Sequence, residues 1–260
     1  MSAHILPRLL AAALLAMPVL AGSAFAAEEK TPLKKVEWSF EGPLGTFDRP
    51  SLQRGFQVFK EVCTSCHTLH YVNFRNLADR GGPGFSAAEV KAIAAAYQKD
   101  VLDDTGQPKQ VPRTPADGFP DPFANEQAAR ASNGGALPPD LSLITHARPG
   151  GPDYVHSLLT GYKDPPPADV QMRPGMSYNE YFPTHQIGMP FQLTEGRVTY
   201  ADGTPATSDQ MAKDVVTFLE WAADPKMEER KRLGLNVLTF LVGLSVLLFL
   251  SYRKIWHGKH

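Results

Sequence analysis

Residues 63 to 67 read Cys-Thr-Ser-Cys-His, and the 260-residue chain holds no other cysteine. Two thiols separated by two residues, with a histidine directly behind the second, form the attachment pattern of a c-type haem. Each thiol adds to one vinyl group of the porphyrin, and the histidine supplies an axial nitrogen to the iron. Cys63, Cys66 and His67 are therefore the candidate cofactor-binding residues, with His67 the first candidate metal ligand. Two other chemistries use the same residues less well. A thioredoxin-like C-x-x-C needs a strand-then-helix setting, which the flanks do not offer. A structural zinc ion needs four ligands, and this cluster supplies three.

A low-spin electron carrier needs a second axial side chain, usually Met or His. The candidates beyond residue 26 are Met172, Met176, Met189, Met211, Met227, His70, His146, His156 and His185. Met211 and Met227 fall on or after a C-terminal helical stretch, where methionine commonly fills core space. His70 follows His67 by three residues and does not easily reach the opposite haem face. Met189 stands between Gly188 and Pro190, which hold the backbone while the side chain projects. Met189 is the first choice on these grounds, and Met172, Met176 and the histidines stay open as alternatives.

A ligating histidine usually donates its other N–H to a carbonyl or carboxylate. Ala136-Leu-Pro-Pro-Asp140 is stiff, lacks N–H donors at Pro138 and Pro139, and offers such a carbonyl, with Pro139 the candidate. The competing reading is an ordinary rigid loop. Arg148, beside a Gly-Gly turn, matches the geometry of a haem propionate, although a solvated arginine is as ordinary a reading.

The elements that must position these residues are mainly helical. Asp48-Arg-Pro-Ser51 reads as a helix start with proline in the first turn. Leu52, Phe56, Phe59 and Cys63 then make one apolar stripe that ends at the first thiol. Ser208–Ala223 is a second amphipathic helix, with Met211, Val215, Phe218, Leu219 and Trp221 as its packing face. Shorter helices are predicted over 86–102 and 153–160. Prolines and glycines crowd residues 105–190, so ordered loops should supply most haem contacts. The Pro-rich stretch 100–126 carries Asp100, Asp103, Asp104, Asp117, Asp121 and Glu126. Such an acidic surface would steer a basic partner, or is simply solvated.

The two ends differ. Residues 1–26 have the form of a cleaved signal peptide: Arg8, an apolar run from Leu9 to Leu20, then Ala24-Phe-Ala26. The eighteen residues from Leu233 to Leu250 carry no charge, with Tyr252, Trp256 and basic residues beyond them. At 1.5 Å per residue they reach about 27 Å, enough to cross a bilayer. The expected organisation is a signal peptide over 1–26, a haem domain over 27–229, a transmembrane anchor over 230–252 and a short tail over 253–260. Flanking charge is nearly balanced about the anchor, so the export signal decides orientation: haem domain periplasmic, tail cytoplasmic, in a bacterial inner membrane. The net formal charge is −1 at pH 7, and nothing in its distribution suggests nucleic-acid binding.

These segments together resemble the cytochrome c1 family, the membrane-anchored haem subunits of cytochrome bc1 complexes. The resemblance runs through Trp38-Ser-Phe, Arg54-Gly-Phe-Gln-Val-Phe, Cys63-Thr-Ser-Cys-His and Asn133-Gly-Gly-Ala-Leu-Pro-Pro-Asp-Leu-Ser. It continues through Ala147-Arg-Pro-Gly-Gly, Tyr154-Val-His-Ser-Leu-Leu-Thr-Gly-Tyr, Tyr181-Phe-Pro and Ile187-Gly-Met-Pro to the C-terminal anchor. It implies an all-α, class I cytochrome c-like haem domain with long loop insertions plus one C-terminal transmembrane helix. In that class a glycine and an aromatic precede the attachment motif at the offsets of Gly55 and Phe59, and the glycine lets two helices cross closely.

The resemblance also implies one covalent haem c on Cys63 and Cys66, His67 as proximal ligand, Met189 as distal ligand and Arg148 near a propionate. The implied function is electron transfer from a Rieske iron–sulfur subunit to a soluble or anchored cytochrome c, within a dimeric quinol–cytochrome c reductase that also contains cytochrome b. No independent chemistry is expected of the chain alone. Some purple-bacterial relatives carry an extra disulfide near the distal ligand. This chain has no cysteine for it, so packing and proline stiffness must hold the Met189 loop. A free membrane-tethered shuttle is the alternative function, but only Asp224–Arg232 separates the C-terminal helix from the anchor.

Overall fold

The computed structural model describes residues 31–259; the expected signal peptide lies outside them. The chain runs α1 (Arg49–Glu61), a 3-10 turn (Cys63–Ser65), a second 3-10 turn (Phe74–Ala78), α2 (Ala87–Ala95), β1 (Gln98–Leu102) and β2 (Pro108–Pro112). It continues with α3 (Glu126–Ser132), α4 (Gly151–Thr160), β3 (Ser177–Tyr178), β4 (Gln186–Ile187), α5 (Ser208–Ala223) and α6 (Met227–Trp256). The described fold is mostly helical, as expected. Its strands form two small antiparallel ribbons, β1 with β2 and β3 with β4.

Helix α1 begins where the sequence places it. The Asp48 side chain accepts from the Ser51 N–H at 3.2 Å, with Pro50 in the first turn. The apolar stripe lies on α5: Leu52, Phe56 and Phe59 are buried, as are Met211, Val215, Phe218, Leu219 and Trp221. Gly55 sits at the crossing. A Cβ there would overlap the Asp214 carbonyl oxygen and lie 2.8 Å from Phe218 Cβ, so only glycine lets the helices approach this closely. Phe56, Phe59, Phe74, Phe119 and Phe218 surround this contact as tilted and edge-on ring pairs.

The crossing also holds a buried ion pair. Asp214 is fully buried. Arg54 donates from Nε and Nη2 to its two oxygens at 2.9 and 3.0 Å, and Ser51 Oγ donates at 2.7 Å. Arg54 reaches on to Asp202 at 2.8 Å and lies over the Tyr200 ring.

Two expectations need correction. The helix predicted over 86–102 stops at Ala95, and its second half is β1. Asp103 folds the intervening turn by accepting from the N–H groups of Thr105 and Gln107, and Gly106 takes φ 78°. This Asx turn outcompetes helix propagation. Helix α3 was not foreseen within the loop-rich region; it starts at Asn125, whose side chain accepts from the Ala128 N–H at 2.8 Å.

The segment before α1 straps α4 to the core. Asp153, buried on α4, accepts from Trp38 Nε1 at 2.8 Å and Lys35 Nζ at 2.8 Å. Burial alone would raise its carboxyl, but the Lys35, Trp38 and Val36 donors hold it below its ordinary value near 3.8. A depressed carboxylate stabilises the fold at neutral pH, and that contribution is lost as pH falls below 3.8 through the folded value. Asp153→Asn should cost about 1 kcal/mol at pH 7 and flatten the loss of stability below about pH 4. Urea unfolding followed by circular dichroism tests this; parallel acid profiles for the two proteins would reject it.

Candidate haem site

The 3-10 turn after α1 brings the attachment motif to the mouth of a cavity of about 450 Å³. Cys63, Cys66 and His67 line it from one segment; Pro139 and Arg148 from the next; Ile187, Gly188 and Met189 from a third; Val215 and Leu219 from α5. All six residues singled out in the sequence, Cys63, Cys66, His67, Pro139, Arg148 and Met189, thus meet around one space. The walls are otherwise dominated by aliphatic side chains, proline and aromatic rings, as suits a porphyrin.

His67 is aimed by its second nitrogen. Nδ1 lies 2.8 Å from the Pro139 carbonyl oxygen. A carbonyl only accepts, so Nδ1 carries the proton and Nε2 keeps its lone pair for a metal. Burial pushes the imidazole below its ordinary value, partly opposed by the Pro139 carbonyl and the Asp140 carboxylate. The ring is therefore held neutral, as ligation requires.

Asp140 makes the Pro139 contact possible. Its Oδ2 accepts from Thr68 Oγ1 at 2.6 Å and from the His70 N–H at 3.0 Å, and its Oδ1 accepts from the Ser142 N–H at 2.9 Å. The Leu141 N–H adds a bond to the Thr68 carbonyl at 2.9 Å. The Pro-Pro segment is thus stapled to the chain just beyond His67. Burial opposes ionisation of Asp140, yet its Ser142, Thr68 and His70 donors hold it below the usual carboxylate value. Asp140 was not singled out in the sequence, although Asp-Leu-Ser after two prolines is an Asx-turn signal.

Of the candidates for the second axial position, only Met189 lines this cavity. Met172 and Met176 line a different one, with Tyr178 and Phe191. Met211 and Met227 are core. His70 pairs with Asp121 and His146 with Glu220, His156 is buried beside Trp38, and His185 stacks on Tyr178.

The Met189 loop is held from three sides. Gly188 passes so close to Ala136 that a Cβ there would lie 3.0 Å from the alanine methyl. The β3–β4 ribbon ends at Ile187. Tyr162 Oη donates to the Met189 carbonyl at 2.9 Å, and burial pushes that phenol well above its ordinary range, so it stays a donor. Tyr162 carries no recognisable signal in the sequence; it supplements the proline stiffness expected there. Tyr162→Phe should cost about 1 kcal/mol and lower the temperature at which the thioether-to-iron absorption band disappears. A band melting at the unchanged temperature would show that the hydroxyl does not hold the loop.

The cavity accepts the group that its donors imply. Both thiols face it. Burial, and then the neighbouring Cys66, push the Cys63 thiol up to about 12, so it stands as a neutral thiol. Arg148 lines the same space exposed, donating to the Ala147 carbonyl at 3.3 Å, and among the described residues it is without an ion-pair partner. Its guanidinium thereby remains available to a carboxylate.

Comparison with known proteins places the chain in a family. Residues 38–259 match the family described as the Cytochrome C1 family. The chain belongs to the cytochrome c1 family. It is 46% identical over 258 residues to cytochrome c1 of Rhodospirillum rubrum, covering 93% of this chain and 94% of that one. A Candida albicans protein named cytochrome b-c1 complex catalytic subunit, mitochondrial, is 49% identical over 220 residues, 84% of this chain and 75% of that one. A Bradyrhizobium diazoefficiens protein named cytochrome b/c1 is 50% identical over 251 residues; these cover 89% of this chain but 36% of that longer protein. Membership in the cytochrome c1 family carries with it one covalently attached haem c and electron transfer by it. The long apolar α6, none of whose membrane-length window is buried, fits the family's anchor.

Proposed function

We propose that this chain is the haem subunit of a quinol–cytochrome c reductase, taking electrons from a Rieske iron–sulfur subunit and passing them to a mobile cytochrome c. The observation that carries the reading is the single cavity lined by Cys63, Cys66, His67 and Met189. When bound, the haem supplies a one-electron couple between ferric and ferrous iron. The chain's own residues do the rest. Cys63 and Cys66 would hold the group covalently, His67 would ligate through Nε2 with its ring fixed by the Pro139 carbonyl, and Met189 would ligate from the Tyr162-clamped loop. Arg148 would pair with a propionate. Val215, Leu219 and Ile187 line the cavity and would keep water from a group bound there.

Cytochrome b and the Rieske subunit are the proposed neighbours, in a dimeric complex; the name of the Candida albicans relative places that protein in a cytochrome b-c1 complex. The proposed organisation is a cleaved signal peptide over 1–26, a periplasmic haem domain, an anchor within α6 and a short cytoplasmic tail, in a bacterial inner membrane. A freely tethered shuttle fits less well, because α6 is bonded to the haem domain: Glu228 accepts from the Phe47 N–H at 2.9 Å and from Arg49 at 2.7 Å. A flexible tether would carry no such bonds. Of the acidic residues in 100–126, Asp117 pairs with Lys99, Asp103 folds a turn and Asp121 meets His70, so much of that charge is spent on local structure.

The test is to purify the chain from gently solubilised native membranes and record a reduced-minus-oxidised spectrum. A b-type band and an iron–sulfur signal accompanying the c-type band, with quinol-dependent reduction of cytochrome c, would support the reading. A lone c-type band without quinol activity would move the function to a tethered shuttle.

A further inference from the structure

Leu44 is the most exposed large apolar side chain among the described residues, at 75%. It stands at the tip of a closed turn. The Thr46 N–H reaches the Ser39 carbonyl at 3.0 Å and the Glu41 N–H reaches the Trp38 carbonyl at 3.1 Å. Gly42 takes φ 73°, and a Cβ at Gly45 would overlap the Glu41 carbonyl oxygen. Backbone bonds close this turn, and in it a leucine faces outward with no described partner.

The turn is fixed at a definite height on α6. Lys231 Nζ donates to the Phe40 carbonyl at 2.6 Å and to the Gly45 carbonyl at 3.2 Å. Glu228, on the same helix face three residues earlier, holds the Phe47 N–H and Arg49. Lys231 precedes Leu233, where the uncharged stretch begins, by two residues, about 3 Å along the axis. Helical side chains lean toward the N-terminus, so the turn lies just outside the apolar stretch. The headgroup layer is about 5–7 Å thick on each side of the hydrocarbon. A turn within one helical turn of Leu233 falls inside that layer.

We propose that the Pro43-Leu44 tip is a second membrane contact, with Leu44 inserted at the boundary between lipid headgroups and acyl chains. The proposal rests on α6 being a membrane anchor. The occupant is lipid because Lys231 bonds the turn to α6 two residues before the exposed apolar stretch begins at Leu233. With α6 it gives the haem domain two points of contact, which fix its tilt and not only its height. An exposed leucine in water has no gain to offset its hydration, whereas at the boundary it removes apolar surface from water.

Nitroxide labelling tests this in the haem-loaded full chain, in its complex, reconstituted into phospholipid vesicles. Labels would be placed separately at Leu44→Cys, at Val242→Cys within the apolar stretch, and at Asp104→Cys in the β1–β2 turn. The native thiols are consumed by haem attachment and take no label. Relaxation by dissolved oxygen, which partitions into lipid, is compared with relaxation by a water-soluble nickel chelate. The expected ratio of oxygen to nickel accessibility at Leu44 lies at least severalfold above that at Asp104 and below that at Val242. A Leu44 ratio equal to that at Asp104, with Val242 still lipid-like, overturns the membrane contact but leaves the anchor standing. Both reagents blocked at Leu44 overturns it in favour of a covering protein subunit. An aqueous Val242 would fail the anchor reading itself.

Discussion

Replacing Met189 by leucine or lysine should lower the haem midpoint potential by roughly 0.1–0.3 V, within the ≈ 0.8 V range that axial ligands span, while the haem stays bound to the polypeptide. The two parts of the result come from different residues. Attachment depends on Cys63 and Cys66, at the turn after α1, a segment far in the chain from the Met189 loop. The potential depends on the second axial atom. A thioether favours ferrous iron and raises the potential; leucine offers no donor, and a lysine nitrogen favours the ferric state. A redox titration gives the shift, and haem staining after denaturing electrophoresis shows retention. Met176→Leu is the control, because Met176 lines the other cavity and should leave the potential in place. A titration curve unchanged in Met189→Leu and displaced in Met176→Leu would transfer the ligand to that second loop.

The parts of this site that could be read in the sequence are those whose chemistry is local. Cys63, Cys66 and His67 form one pentapeptide, Asp48 and Pro50 form one helix start, and Gly188-Met189-Pro190 constrains its own backbone. Gly55 was legible through its offset from the attachment motif, and its carbon does abut α5. The long-range polar contacts were not legible. Asp140, Tyr162 and Asp214 act on residues far away in the chain, and each looks ordinary in its own segment. Asp214 is the sharpest case. A charged residue on an amphipathic helix reads as part of the solvated face, yet here it is fully buried. The approach of α1, which adds Arg54 and Ser51 to the Gln210 amide of α5 itself, makes a buried carboxylate tolerable. The helix predicted over 86–102 departs from the structure for the opposite reason: beyond Ala95 the local contacts of Asp103 and Gly106 turn the stretch into a ribbon.

Asp214→Ala should destabilise the folded haem domain by about 3 kcal/mol, the lower end for breaking a buried pair from one side. The loss is large because three donors are left facing a methyl group: Arg54, Ser51 and the Gln210 amide, which reaches Oδ2 at 3.0 Å. It stays at the lower end because Arg54 keeps Asp202 as a partner and part of its side chain reaches water. Asp214→Asn keeps one acceptor and should cost less, so the order wild type, Asn, Ala in urea midpoints is part of the expectation. Arg54→Leu in the Asp214→Ala background separates charge from shape. If the unpaired guanidinium causes the loss, the double variant recovers stability over Asp214→Ala alone. If the cost were only a packing defect at the Gly55 crossing, removing the arginine would add to it. Gly55→Val gives the packing defect directly: its side chain would overlap the Asp214 carbonyl, and α1, which leads into the attachment motif, would have to separate from α5, which lines the cavity. That variant should fail to retain a folded haem domain, whereas Asp214→Ala should fold, hold its haem, and unfold earlier. Equal urea midpoints for wild type and Asp214→Ala would mean that the apolar face alone sets the crossing.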